Sequence, residues 1–123
     1  MICIRITKGK DGLELSAHGH AGYAPRGQDV VCAGVSALLY GFIAYLEGLA
    51  PIATAGVLEG DTLGWTAKDE DGILSIQTRG MGGADLDGLA VIQAGLGLIA
   101  ASYPAFVMLD IHTKRKGDEY ESS

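Results

Sequence analysis

Two residues in the first third of the chain have the side chains of a thiol nucleophile and its base. His20 precedes a glycine-rich stretch, and Cys32 follows twelve residues later at the start of a long apolar run. An adjacent imidazole can take the proton of a thiol and later return it to a leaving amine. The pair therefore indicates covalent catalysis, with Cys32 as the nucleophile and His20 as the base.

Spacing alone leaves other interpretations open. A cysteine in an apolar helix is often a small hydrophobic residue of the core. His18 lies on the same face of the predicted strand as His20, so either histidine could be the functional one. A metal site of His18, His20 and Cys32 is conceivable, but the sequence offers no clear fourth ligand. Cys3, inside a predicted strand, is expected to be structural.

Asp29 stands where a helix is predicted to begin. Its carboxylate can cap that helix by accepting from the N–H of Val31 or Cys32, and whether it also orients His20 stays open. The N–H groups and dipole of a first helical turn favour the thiolate form of a cysteine placed there. The N–H groups of Cys32 and its neighbours are the predicted donors to the oxyanion of a tetrahedral intermediate.

Residues 21–28 are predicted to form a mobile loop, because their glycines and proline disfavour both helix and strand. Such a loop beside a nucleophile would let a peptide enter and then cover it. The predicted substrate-binding residues are Gly22, Tyr23, Pro25, Gly27 and Ser36.

Hydrophobic patterning predicts the elements that position these side chains. Strands are expected over residues 2–7, 13–20, 57–68, 73–79 and 105–113, and helices over 30–49 and 86–102. Charged turns are expected at 10–12 and 69–72, and Asp85 is the predicted cap of the second helix. This order predicts an α+β fold, with a mixed or antiparallel sheet of about five strands and two main helices packed on it.

Length and composition limit the classes of function. The 123 residues suit one domain, predicted over 1–113, followed by a polar and disordered tail over 114–123. Fifteen acidic against nine basic residues give a net charge of -6, which opposes nucleic-acid binding as the main activity. Two cysteines and no signal peptide predict a reduced, cytoplasmic setting.

Two stretches, 30–46 and 88–109, contain no charged residue and could be proposed as membrane spans. No basic residue close to the first stretch would fix its orientation, and Gln93 and Pro104 interrupt the second. Helices that are apolar nearly all round are better explained by burial on more than one side. The sequence therefore predicts no membrane partner, and a symmetric homodimer instead.

Two motifs resemble the signature of the ribosomal-processing cysteine protease family Prp. They are Gly-His-Ala at 19–21 and Asp-Val-Val-Cys-Ala-Gly-Val-Ser-Ala-Leu at 29–38. The order of hairpin, helix, hairpin, helix and strand is also similar to that family.

The resemblance implies a homodimeric cysteine protease with Cys32 and His20 as its dyad, and it favours His20 over His18. It implies a peptide substrate, the short N-terminal extension of large-subunit ribosomal protein L twenty-seven, cut after a hydrophobic motif containing Phe. No cofactor and no metal are expected. The alternatives are a phage-related homologue that processes a phage structural protein, and a ribosome-associated binding module without turnover.

Overall fold

The fold is a five-stranded mixed sheet that carries two helices on one face. The computed structural model describes residues 1–25, 27–49 and 64–114. The elements are β1 (Ile2–Lys8), β2 (Leu13–His18), α1 (Val30–Leu49), β3 (Gly64–Glu70), β4 (Ile73–Arg79), α2 (Ala84–Ser102) and β5 (Val107–Thr113). The strand order is β3-β4-β2-β1-β5, with β1 and β5 parallel and the other neighbours antiparallel. This confirms the predicted α+β fold.

Strand alternation decides which face of the sheet is buried. Ile2, Ile4 and Ile6 are at most 5% exposed, because every second side chain of a strand points to the same face. The opposite face is polar, and there Arg5 and Asp110 form an ion pair at 3.4 Å between β1 and β5. From the helices, the core receives Val31, Val35, Leu39, Phe42, Leu46, Leu89 and Leu96.

The two helices run antiparallel and approach closely where one of them carries glycine. A Cβ placed on Gly95 would lie 2.9 Å from the Leu38 side chain, and one on Gly88 would lie 2.3 Å from the ring of Tyr45. Both helices have the length and apolar composition of a membrane span. In this fold, α1 packs one face on the sheet, and α2 lies beside α1.

Gly34 and Gly41 are seven residues apart in α1, a spacing that predicts close packing on one face. A Cβ on Gly34 would lie 3.3 Å from Ile99 of α2, whereas no atom of the described residues lies within 4 Å of the equivalent point at Gly41. Among those residues, the close approach therefore involves Gly34 and not Gly41.

The second strand ends two residues earlier than predicted. Residue His18 is its last, because Gly19 has φ +95, a backbone conformation outside the strand region. A Cβ on Gly19 would lie 2.3 Å from the carbonyl oxygen of Met1, so the chain passes closely beside the N-terminus here. His20 consequently lies beyond the strand, and its orientation no longer follows strand alternation.

The hairpin between β3 and β4 is tighter than predicted. Asp71 and Gly72 have φ 54 and 77, the positive values of a two-residue type I′ turn. Asp69 and Glu70 belong to β3 rather than to a four-residue turn. Of the predicted third strand, residues 57–63 lie outside the described residues, as does the predicted tail from 115 onward.

Asp85 does not cap the second helix as predicted. That helix begins at Ala84, and its N-cap is Gly83 with φ 87. Asp85 is 2% exposed and accepts a hydrogen bond from the Thr78 hydroxyl, which itself accepts from the N–H of Leu13 at 3.0 Å. A buried carboxylate needs such partners, so Asp85 ties α2 to β2 and β4 instead of closing the helix end.

Candidate active site

The start of α1 is organised by the carboxylate of Asp29. Its Oδ1 accepts from the backbone N–H of Cys32 at 2.9 Å, which is the predicted capping bond, and its Oδ2 accepts from the N–H of Tyr23 at 3.1 Å. The N–H of Cys32 is the largest influence on the pKa of Asp29 and holds it below its usual value of 3.8. Desolvation opposes this shift, and the N–H of Tyr23 adds a smaller lowering. Asp29 thus joins the helix start to the preceding loop.

Cys32 lies in the first turn of α1 and is half-buried. The first helical hydrogen bond runs from the N–H of Ala33 to the carbonyl of Asp29 at 3.0 Å, so the position of Cys32 is fixed by regular helix geometry. The N–H of Cys32 is bonded to Asp29 and is not free. The expectation that this N–H binds an oxyanion is therefore wrong, because its hydrogen already points at a carboxylate.

His20 and Cys32 line one cavity of about 750 Å³. The turn at Gly19 brings His20 there from the end of β2, and the N-terminal turn of α1 brings Cys32. His20 is exposed to solvent, whereas Cys32 is half-buried. The complete lining is His20, Gly22, Ala24, Gly27, Gln28, Asp29, Val30, Cys32, Ala33 and Ser36.

Three of the predicted substrate-binding residues line this cavity and two do not. Gly22, Gly27 and Ser36 are part of its wall, whereas Tyr23 and Pro25 are not. The carbonyl of Pro25 accepts from the N–H of Gln28 at 2.9 Å, in a turn of the loop. The roles assigned to these residues stay predictions.

The ring of Tyr23 makes contacts that the sequence did not reveal. It meets the rings of Tyr103 and Phe106 edge-to-face, at centroid distances of 5.4 and 5.3 Å. Four lining residues were not named individually as substrate-binding: Ala24 and Gln28, which belong to the predicted loop, and Val30 and Ala33. Helical spacing could have found Ala33, since it lies four residues after Asp29 and three before Ser36.

The arrangement suits a reaction at a carbonyl carbon. A thiol in a helix's first turn and an imidazole on the same cavity can form a covalent acyl intermediate and pass one proton between them. The wall is mostly small or apolar, which leaves room for a peptide backbone. Within the described residues, no group of three or more His, Cys, Asp or Glu side chains is placed to hold a metal ion.

Comparison with known proteins identifies the family of this chain. A family model described as cysteine protease Prp matches residues 1–108. The chain belongs to the Prp family of cysteine proteases. The resemblance carried by the two motifs is thereby confirmed, and so is the assignment of the chain as an enzyme of the thiol protease class.

Individual members of the Prp family are similar along most of this chain. The ribosomal processing cysteine protease Prp of Mycoplasma pneumoniae is 31% identical over 105 residues, which cover 82% of this chain and 89% of the relative. A crystal structure of the essential ribosomal processing protease Prp from S. aureus, with a covalently linked product peptide, matches with a TM-score of 0.67 at 26% identity. The match covers 90% of this chain and 99% of that one. A second S. aureus structure, with a substrate peptide, has a TM-score of 0.63 at 25% identity, again over 90% of this chain and 99% of that one.

Proposed function

We propose that this protein is an endopeptidase that removes the N-terminal extension of large-subunit ribosomal protein L twenty-seven. Cleavage would follow a hydrophobic motif containing Phe, in the cytoplasm. The observation that carries the proposal is that His20 and Cys32 line the same cavity, with Cys32 in the first turn of α1. Membership of the Prp family supports it, as does the ribosomal processing named for the M. pneumoniae relative.

The reaction requires two half-steps at Cys32. His20 accepts the thiol proton, the sulfur attacks the scissile carbonyl carbon, and the tetrahedral intermediate collapses as His20 protonates the leaving amine. The product is a thioester between Cys32 and the N-terminal fragment. A water then attacks this thioester with His20 as base, which releases the carboxylic acid and restores the thiol.

The cavity and the charge of the protein agree with such a substrate. Five of the ten lining residues are glycine, alanine or valine, so the wall can accept an apolar side chain of an extended peptide. The net charge of -6 favours the approach of a basic ribosomal protein. Both described cysteines are free thiols, in keeping with a reducing compartment.

Cleavage of a synthetic peptide that carries the ribosomal extension tests this function. Cys32→Ala should abolish cleavage and His20→Ala should reduce it at least about a hundredfold, because general base catalysis typically contributes that much. The matched controls are Cys3→Ala and His18→Ala, which change the same residue types on the polar face of the sheet. Both controls should cleave like the wild type, and mass spectrometry of the products locates the scissile bond.

Three outcomes would contradict the proposal. Equal cleavage by wild type and Cys32→Ala would remove Cys32 from the reaction. Loss of activity in His18→Ala but not in His20→Ala would assign the base to the other histidine. Persistent peptide binding without product, under reducing conditions, would favour a binding module that has kept the fold and lost turnover.

A further inference from the structure

Tyr23 is attached at once to the start of α1 and to the junction between α2 and β5. Its backbone N–H donates to Asp29 at 3.1 Å, and its ring packs edge-to-face on Tyr103 and Phe106. Edge-to-face pairs at such separations are favourable, because the positive edge of one ring meets the negative face of another. We name the described residues between β2 and α1, 19–25 and 27–29, the site loop.

The residues before and after Tyr23 in the chain belong to the cavity wall. Gly22 and Ala24 line the cavity, while Tyr23 between them does not. Gly22 and Gly27 have φ +71 and +87, and no atom of the described residues beyond their chain neighbours lies within 4 Å of the place where a Cβ would stand on either. On the side where a Cβ would stand, these two glycines therefore make no contact with the described residues. The contacts of Tyr23 therefore fix the position of the adjoining cavity wall.

The pair Tyr103 and Phe106 is itself held firmly by the backbone. The N–H of Tyr103 donates to Ile99 at 2.8 Å, and the N–H of Phe106 donates to Tyr103 at 2.9 Å. The carbonyl of Phe106 accepts from the N–H of Ile2 at 2.8 Å. Both rings are half-buried against the core. They form a rigid platform, because α2 and the first strand of the sheet both fix their backbone.

We propose that Tyr103 and Phe106 are positioning residues of the peptidase site. Through the ring of Tyr23 they hold the site loop in the conformation that forms the cavity wall. This inference rests on the proposed peptidase function. When the loop is released, fewer molecules have a formed cavity at any moment, so the apparent affinity for peptide falls while the chemical step at Cys32 is unchanged.

Two measurements on Tyr23→Ala, Tyr103→Ala and the double variant test this role. The first is amide hydrogen exchange of the site loop, which needs no turnover. The second is peptide cleavage, resolved into kcat and KM. Exchange at residues 22–24 should become faster. KM should rise about five- to tenfold, the loss expected from one or two aromatic pairs, with kcat within about twofold of wild type.

The controls separate loop positioning from general loss of stability. Tyr40→Ala removes a ring that is 48% exposed, against 45% for Tyr23, from a part of α1 that contacts Asp69. It should leave KM and loop exchange unchanged. Tyr23→Phe keeps the ring and should behave like wild type. The double variant should be no worse than Tyr23→Ala alone, because that change already removes the contact with Tyr103.

The outcomes distinguish this inference from the function on which it rests. Unchanged exchange of the site loop in Tyr23→Ala and Tyr103→Ala would overturn the positioning role, whatever the activity. A loss confined to kcat, or an equal rise of KM in Tyr40→Ala, would overturn it as well. Faster loop exchange in a protein that cleaves no peptide would support the attachment and contradict the peptidase function alone.

Discussion

At the scale of single residues, Asp29 has two structural roles that depend on its charge. One oxygen caps α1 at Cys32, and the other holds Tyr23. Asp29→Asn keeps one carbonyl oxygen for the cap, but its amide group cannot accept from the N–H of Tyr23. We expect this variant to retain α1, to lower the unfolding midpoint in urea, and to raise KM about fivefold by releasing the loop.

The same carboxylate predicts how stability depends on pH. Because the pKa of Asp29 is lowered on folding, its ionised form stabilises the native state above the unfolded value of 3.8, and this stabilisation is lost as pH falls through the folded pKa. The difference in stability between wild type and Asp29→Asn should therefore be constant near neutral pH and shrink below about pH 4. Urea unfolding of both proteins across this range measures it. A difference that stays constant down to about pH 3 would contradict the assignment.

Some residues of the candidate site could be predicted from the sequence, and others could not. Cys32, Asp29 and Ser36 share one helix or its cap, so their proximity follows from spacings of three and four residues. His20 enters through a turn at Gly19, and the strand pattern alone could not choose it over His18. Tyr103 and Phe106 meet the site loop from some eighty residues away in sequence, and no local pattern carries that information.

At the scale of elements, the contact between α1 and α2 predicts that a glycine-to-alanine substitution in α2 lowers the free energy of unfolding, although alanine normally favours a helix. Gly88→Ala would place a Cβ 2.3 Å from the ring of Tyr45, whose hydroxyl donates to the carbonyl of Ala84 at 2.7 Å. Moving the ring breaks that hydrogen bond. We expect Gly88→Ala to lower the free energy of unfolding by about 1–3 kcal/mol, measured by urea denaturation.

Gly97 offers the matched control on the same helix. Within the part of the chain that the structure describes, nothing lies within 4 Å of the place where a Cβ would stand on it. Gly97→Ala should therefore be neutral or stabilising, by up to about 1 kcal/mol from helix propensity. If both substitutions raise stability, the close approach at Gly88 does not constrain the packing of the two helices.

The bounds of the helices and strands show where local sequence signals were sufficient to predict them. The predictions for α1 and β4 match the structure, because long periodic runs end there at clear turn residues. The bounds of β2 and α2 were wrong at Gly19 and Asp85. A positive φ ended the strand, and a buried hydrogen bond from Thr78 took the carboxylate that would otherwise cap the helix. Both causes depend on tertiary contacts.

At the scale of the whole molecule, α2 has an apolar face that the described chain leaves in solvent. Val91 and Leu98 are 71% and 70% exposed, and Ala90, Ala94 and Ala101 on the same side are exposed too. Small residues around two larger ones let a second helix approach closely. We propose a symmetric homodimer through this face, since a two-fold contact lets one patch cover its own copy.

The dimer predicts a specific response to added charge. Leu98→Asp introduces two carboxylates into a two-fold interface, one from each copy. Because burying unpaired charge is costly, the variant should associate at least about tenfold more weakly than the wild type, as measured by sedimentation. Met108→Asp is the control, because Met108 is 48% exposed on the opposite face of the sheet, away from α2. It should leave the dimer intact. A wild-type protein that sediments as a monomer at about 100 µM, or equal weakening by both variants, would show that α2 does not form the interface.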